Sequence, residues 1–158
     1  MSEPRIRLAT LEDSPLVADL IRSLEVHYNG AQGAPPIGEI ETMVADSLGC
    51  EEGTRYALAL VGERAAGLAC FAILRPGRHL SGLLFLKELF VEEDVRGHSV
   101  GGALLRWLAA YAKGRGIGRI DLTTEADNRR ARAFYERLGA ERLDKVFYRF
   151  DLRTGPLA

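Results

Sequence analysis

Cysteine is scarce in this chain of 158 residues: Cys50 and Cys70 are the only two. With no CxxC and no ligand-spaced histidine beside them, they make neither a disulfide framework nor a zinc site, and both are expected as reduced thiols. The histidines His27, His79 and His98 are scattered along the chain, so no metal is expected. No apolar run reaches the roughly 18 residues of a membrane span, so no membrane partner is expected. The opening stretch MSEPRIRLATLEDS lacks the apolar core of a signal peptide, which points to the cytoplasm. Excess charge of one sign is missing too. Lys and Arg number 21 against 22 Asp and Glu, a net charge of −1, which argues against a chain built as a whole to bind nucleic acid. Internal repeats and interdomain linkers are also lacking.

What is present is the composition of a folded domain, 47% hydrophobic and 27% charged. The length fits one domain over residues 1–158, with a core from about residue 5 to residue 152. A chain of this size buries about 68–70% of its unfolded surface, so it needs no covalent staple.

Hydrophobic period sets the expected elements. Arg5 to Ala9 reads as a short strand. A helix capped by Asp13 or Ser14 follows, with Leu16, Leu20, Ile21 and Leu24 at helical spacing. The stretch NGAQGAPPIG is a loop, and Glu39 to Leu48 a second helix. Arg55–Val61 and Ala65–Leu74 are apolar runs joined by Gly62-Glu63-Arg64, a hairpin signal. Leu83–Val91 (LLFLKELFV) is nearly continuous in apolar residues, so it is expected to be central and covered on both faces. A helix with Leu104, Leu105, Leu108 and Ala112 on one face ends at Gly114. Ile120–Thr124 is a short strand. A helix with Ala131, Phe134, Tyr135 and Leu138 on one side ends at Gly139, and Lys145–Leu152 reads as a last strand. This order predicts an α/β fold: a mixed sheet with helices packed on it, in which Leu83–Thr124 forms a parallel strand–helix–strand crossover.

The chemistry concentrates where that central strand runs into the third helix, through Arg96-Gly97-His98-Ser99-Val100-Gly101-Gly102. A helix start leaves backbone N–H groups without partners, and its dipole adds partial positive charge. Small residues let an anion come close to that backbone, and Arg96 supplies a charged donor. The loop is neither a Walker loop, since no Lys-Ser/Thr follows the glycines, nor a GxGxxG fingerprint. Taken alone it serves equally as a tight connection whose glycines are steric.

The frame Arg96 to Gly101 resembles the pyrophosphate motif of the GNAT-type N-acetyltransferase superfamily, with Ser99 where the pattern has glycine. Downstream, EADNRRARAFYERLGAE is similar to a second signature of that superfamily, with Asn128, Phe134, Tyr135 and Gly139 in the matching places. LLFLKELFVEEDVRG looks most like the diamine, or spermidine/spermine, acetyltransferase branch. The resemblance implies a single-domain, mostly antiparallel sheet with a central splayed strand pair and helices on both faces. It implies acetyl-CoA as the acetyl donor, no metal, and direct attack of a primary amine of a small molecule on the thioester.

Residue by residue, the resemblance implies that main-chain groups of Leu89, Phe90 and Val91 pair with the pantetheine arm. The amides of Gly97, His98, Ser99, Val100, Gly101 and Gly102 would cradle the pyrophosphate with Arg96. Asn128 would touch the pantetheine arm; as a helix N-cap it has an equal structural use. Tyr135 would be the general acid at the departing sulfur, a role suited to a phenol of ordinary pKa about 10; it also fits a packed helix stripe. Glu88 is the candidate base. Lys87 stands where the diamine branch carries an acid, and it repels polycations. His27 and Tyr28 would line the acceptor pocket, with His27 a second base candidate. The loops Asn29–Gly38 and Arg75–Gly82 would set acceptor specificity. The resemblance also implies a homodimer, with Val146–Leu152 available for strand exchange. A protein or peptide amine as acceptor, or a CoA-binding module without turnover, are the competing readings.

Overall fold

The computed structural model describes residues 3–50, 53–76 and 81–156. His79 and the middle of the Arg75–Gly82 loop lie outside the described residues. Residues 1–123 and 124–158 form two separate units.

The first unit runs β1 (Arg5–Leu8), α1 (Ser14–Asn29), α2 (Ile37–Leu48), β2 (Arg55–Val61), β3 (Arg64–Leu74), β4 (Leu83–Val91), α3 (Val100–Lys113) and β5 (Ile120–Leu122). Short 3-10 turns at Leu11–Asp13 and Glu93–Val95 precede α1 and α3. The strands lie in the order β1-β2-β3-β4-β5. Every neighbouring pair is antiparallel except β4 and β5, which run parallel. A parallel pair needs a long crossover, and α3 supplies it.

The sheet is covered on both faces. On one, Ala57, Ala59, Phe71, Leu84 and Leu86 pack against Val100, Leu104 and Leu108 of α3. On the other, Tyr56, Leu58, Leu68, Cys70 and Phe90 pack against Val17, Leu20 and Leu24 of α1 and Ile40 and Val44 of α2. Burial on both sides is why β2 and β3 read as continuous apolar runs and not as alternating ones. Leu58, Leu68, Leu84, Leu104 and Leu108 are fully buried, each stabilising the fold by about 1.5–3 kcal/mol relative to exposure.

Asp13 takes the N-cap position of α1 but makes no cap bond. Its carboxylate instead accepts from both terminal nitrogens of Arg7, at 2.6 and 2.8 Å, and from the Thr10 N–H at 2.8 Å. This fork ties β1 to the start of α1. Gly114 ends α3 with a right-handed φ of −61°, and the left-handed turn falls at Gly116. None of the described helices is long and apolar enough to cross a membrane.

The second unit holds α4 (Arg129–Arg137). The Asn128 side chain caps it, accepting from the Ala131 N–H at 3.0 Å, and Gly139 ends it at φ 90°. The expected buried stripe on α4 is only half-buried at Ala131, Phe134 and Tyr135, and Leu138 is exposed. The expected last strand, Lys145–Leu152, is not one: among the described residues it makes no ladder. Val146, Phe147, Tyr148 and Phe150 are between 71% and 83% exposed. Alternating apolar residues become a strand only where an edge supplies hydrogen bonds and a face supplies cover, so alternation by itself does not make one.

Candidate functional site

The site begins where β4 outruns its neighbour. The β4–β5 ladder covers Leu84–Leu86 against Ile120–Leu122. β4 then continues from Lys87 to Val91 beyond the last ladder pair. On its other edge it stays paired with β3, Leu89 opposite Ala69 and Val91 opposite Gly67. The expected cover on both faces holds at Leu84, Leu86 and Phe90 but not at Lys87, which is exposed, or at Glu88 and Leu89, which are half-buried. Leu89, Phe90 and Val91 therefore form a stretch of strand open along the β5 side among the described residues. An open edge of that kind pairs with an extended partner through its main chain.

A bulge lies at the start of this stretch. Cys70 stands opposite Glu88 while Phe71 stands opposite Leu86, so Lys87 is the extra residue. Adjacent residues of a regular strand point to opposite faces. At the bulge they do not: Lys87 Nζ donates to Glu88 Oε1 at 2.8 Å. The Lys87 side chain is 67% exposed and that of Glu88 24%. The Glu88 carboxylate holds the Lys87 proton, raising the pKa of that ammonium.

Two further groups converge on Glu88. Tyr28, at the end of α1, faces it. Although that residue is 63% exposed, desolvation of its phenol, followed by the Glu88 charge and hydrogen bond, raises its pKa. Burial, then the same carboxylate, pushes the Cys70 thiol up to about 11. Glu88 is thus the shared centre of a polar group drawn from α1, β3 and β4. Sequence reading placed Lys87, Glu88 and Tyr28 near the acceptor but missed Cys70; the register across β3 and β4 is the signal that finds it. His27 is exposed, its ring 5.7 Å from that of Tyr28.

Beyond Val91 the chain turns through Glu93–Val95 into the loop. Arg64 of β3 clasps Asp94 in that turn, Nη2 to Oδ1 at 3.0 Å. Arg96 Nε donates to the Val91 carbonyl at 2.9 Å, and its guanidinium lies 5.8 Å from the Phe90 ring centroid. The Arg96 Nε bond thereby fastens the loop to the end of β4. Gly97 has φ 86° and Ser99 φ 64°, both left-handed, with His98 between them on the ordinary side. Alternating hands of this kind turn successive N–H groups toward one side as an anion-binding concavity.

The His98 N–H donates to the Val95 carbonyl at 3.4 Å, so it is engaged within the loop. The first bond into α3 is Ala103 N–H to the Ser99 oxygen at 2.9 Å. The N–H groups of Val100, Gly101 and Gly102 stand ahead of it at the positive end of a helix of 14 residues. The Ser99 hydroxyl makes no cap bond. Asn128 and Tyr135 lie on the second unit, Asn128 engaged as the cap of α4 and Tyr135 half-buried, its ring near that of Phe134. Among the described residues no group of three His, Cys, Asp or Glu is placed to hold a metal.

The open edge of β4, the helix start beside it and the Glu88 group are the candidate binding surface of the first unit. It offers main-chain pairing for an extended arm, N–H donors for an anion and a carboxylate for a cation or a proton.

The family model described as the acetyltransferase (GNAT) family matches residues 23–140, a span that includes this surface and α4. An uncharacterized N-acetyltransferase of Methanocaldococcus jannaschii is 39% identical over 61 residues, 39% of this chain and 27% of that protein. N-alpha-acetyltransferase 30 of Schizosaccharomyces pombe is 33% identical over 91 residues, 57% of this chain and 59% of that one. The chain therefore spans less than two thirds of the length of these curated relatives. Among solved structures, an integron cassette protein from the mobile metagenome of V. cholerae is similar with a TM-score of 0.81 at 27% identity, over 96% of this chain and 94% of that one.

Proposed function

The chain belongs to the acetyltransferase (GNAT) family, and on that premise we propose that it moves an acetyl group from acetyl-CoA to a primary amine of a small molecule. The observation that carries the reading is the run of β4 past β5 and on, through the turn and the glycine loop, into the start of α3. The residues fit such a donor. Leu89–Val91 offer strand pairing to an extended arm, and the N–H groups of Val100, Gly101 and Gly102, with Arg96, offer donors to linked phosphates. Acetyl-CoA supplies an activated acyl carbon, and the chain supplies position and proton management.

Glu88 accepts a proton from the acceptor ammonium, directly or through a water, so that the amine can attack. Tyr135 gives a proton to the departing sulfur. A main-chain N–H of the Leu89–Val91 stretch steadies the acetyl oxygen. Tyr28 and His27 line the acceptor side. Lys87 places positive charge there, which disfavours a polyamine even within a diamine-like branch. A small monoamine or an amine flanked by an acid suits the site better. The reading includes a homodimer in the cytoplasm, which sedimentation and cell fractionation test.

An amine panel assayed by thiol release from acetyl-CoA is the test. Turnover with a small amine, lost in Tyr135→Phe and Glu88→Gln while CoA binding by calorimetry is kept, supports the reading. Absence of turnover with every amine, CoA still binding, turns it into a binding module. The second reading, a protein N-terminus as acceptor, is favoured by the S. pombe relative named an N-alpha-acetyltransferase. Peptides in the same panel separate the two.

A further inference from the structure

Lys87 holds the place that an acceptor ammonium would take. Its Nζ is 2.8 Å from Glu88 Oε1, the atom assigned to take the acceptor's proton. The bulge is what turns the two side chains to the same side. Leu89 lies two residues further, about 6–7 Å along the strand, a span that the four-carbon stem of a lysine covers.

The composition sharpens this. Of the 21 Lys and Arg residues only Lys87, Lys113 and Lys145 are lysines. Arginine stays protonated and is no acyl acceptor, whereas a lysine beside a base is one. The chain carries arginine nearly everywhere, and its one lysine on the sheet sits at the candidate base.

Resting on the acetyl-CoA reading above, we infer that Lys87 is a self-acetylation site, its amine the chain's own first acceptor. Glu88 takes a proton from the Lys87 ammonium. The freed lone pair forms the N–C bond to the acetyl carbon, and the C–S bond breaks with its electrons on sulfur. Nitrogen loses two protons in all: one ends on the thiol of CoA, the other reaches solvent by way of Glu88. The product is a neutral amide at Lys87. Its ion pair with Glu88 is gone, and the carboxylate is released to serve a cationic acceptor. Tethering makes the step intramolecular, which favours it strongly over reaction with a free amine.

The test uses the full chain with acetyl-CoA carrying a heavy-isotope acetyl group, read by peptide mass spectrometry. Label is expected at Lys87 with a half-time independent of protein concentration. Lys113 and Lys145 are expected to lag at least about tenfold. Lys87→Arg removes the label, and Glu88→Gln slows it by about 10²-fold. Equal labelling of the three lysines, or a rate that rises with protein concentration, overturns the inference. So does an unlabelled Lys87 in protein that binds CoA by calorimetry, a result that leaves the acetyltransferase reading standing. Failure to bind CoA at all brings down both.

Discussion

Gly67 is the position where fold and site are most tightly joined. It lies on β3 opposite Val91, at the point where β4 ends and α3 begins. A Cβ there would stand 3.0 Å from the Phe90 carbonyl oxygen, 3.2 Å from Val100 Cγ1 and 3.3 Å from Leu104 Cδ1. Ordinary carbon–carbon contacts lie at about 3.5–4.0 Å, so in Gly67→Ala the first turn of α3 must give by a few tenths of an ångström. The Phe90 carbonyl belongs to the β3–β4 ladder and has little freedom to move. Overpacking of this kind costs about 1–3 kcal/mol. The entropy advantage of alanine in a strand offsets about 0.5–1 kcal/mol of that. The net expectation is a loss of about 0.5–2 kcal/mol for Gly67→Ala, and more for Gly67→Val, whose γ carbons have nowhere to go. The same displacement shifts the Val100–Gly102 N–H groups relative to Val91, so CoA affinity should fall by about threefold to tenfold, the equivalent of roughly half to one charge-assisted hydrogen bond. Urea unfolding measures the first quantity and calorimetry with CoA the second. A Gly67→Ala protein as stable as the parent, binding CoA equally well, would refute the idea that this close approach seats α3.

Ser99→Gly should raise stability by about 0.5–1 kcal/mol, because serine at φ 64° carries a steric cost that glycine lacks; a loss in urea unfolding would mean that the hydroxyl is needed. Asp13 is held down to about 2, against an ordinary 3.8, chiefly by the hydrogen bonds from Arg7. Its folded pKa is depressed, so its contribution, about 1–2 kcal/mol after allowance for the part-exposed Arg7, is full above about pH 4 and disappears as pH falls through about 2. The stability gap between the parent and Asp13→Asn should follow that window, and a gap unchanged at pH 2 would contradict it. Cys50 is exposed whereas the Cys70 thiol is buried and pushed up to about 11. An alkylating reagent at pH 8 should therefore modify Cys50 faster by roughly 10²-fold, and equal rates in peptide mapping would remove the buried thiol from the Glu88 group.

Much of the site is legible before folding because its parts are local. A continuous apolar run, a glycine-rich loop and an amphipathic helix follow one another within Leu83–Lys113, and each follows from neighbours in the chain. Asn128 and Gly139 are likewise recognisable as helix ends from residue type alone. The reading weakened where an outcome depended on a partner. Lys145–Leu152 has the alternation of a strand but no ladder among the described residues, whereas Gly114, a local signal, caps α3 as expected.

The amino-acid order by itself determined the succession of elements, their apolar faces and the run of small residues at the start of α3, since period and steric freedom are properties of adjacent residues. Only the tertiary structure decided that Lys87 is extra in its ladder, that Glu88 faces Cys70 and Tyr28, and that β4 outlasts β5. Register is the reason. A bulge inverts the facing of every residue beyond it, and the place of that inversion is set by a neighbouring strand distant in the chain.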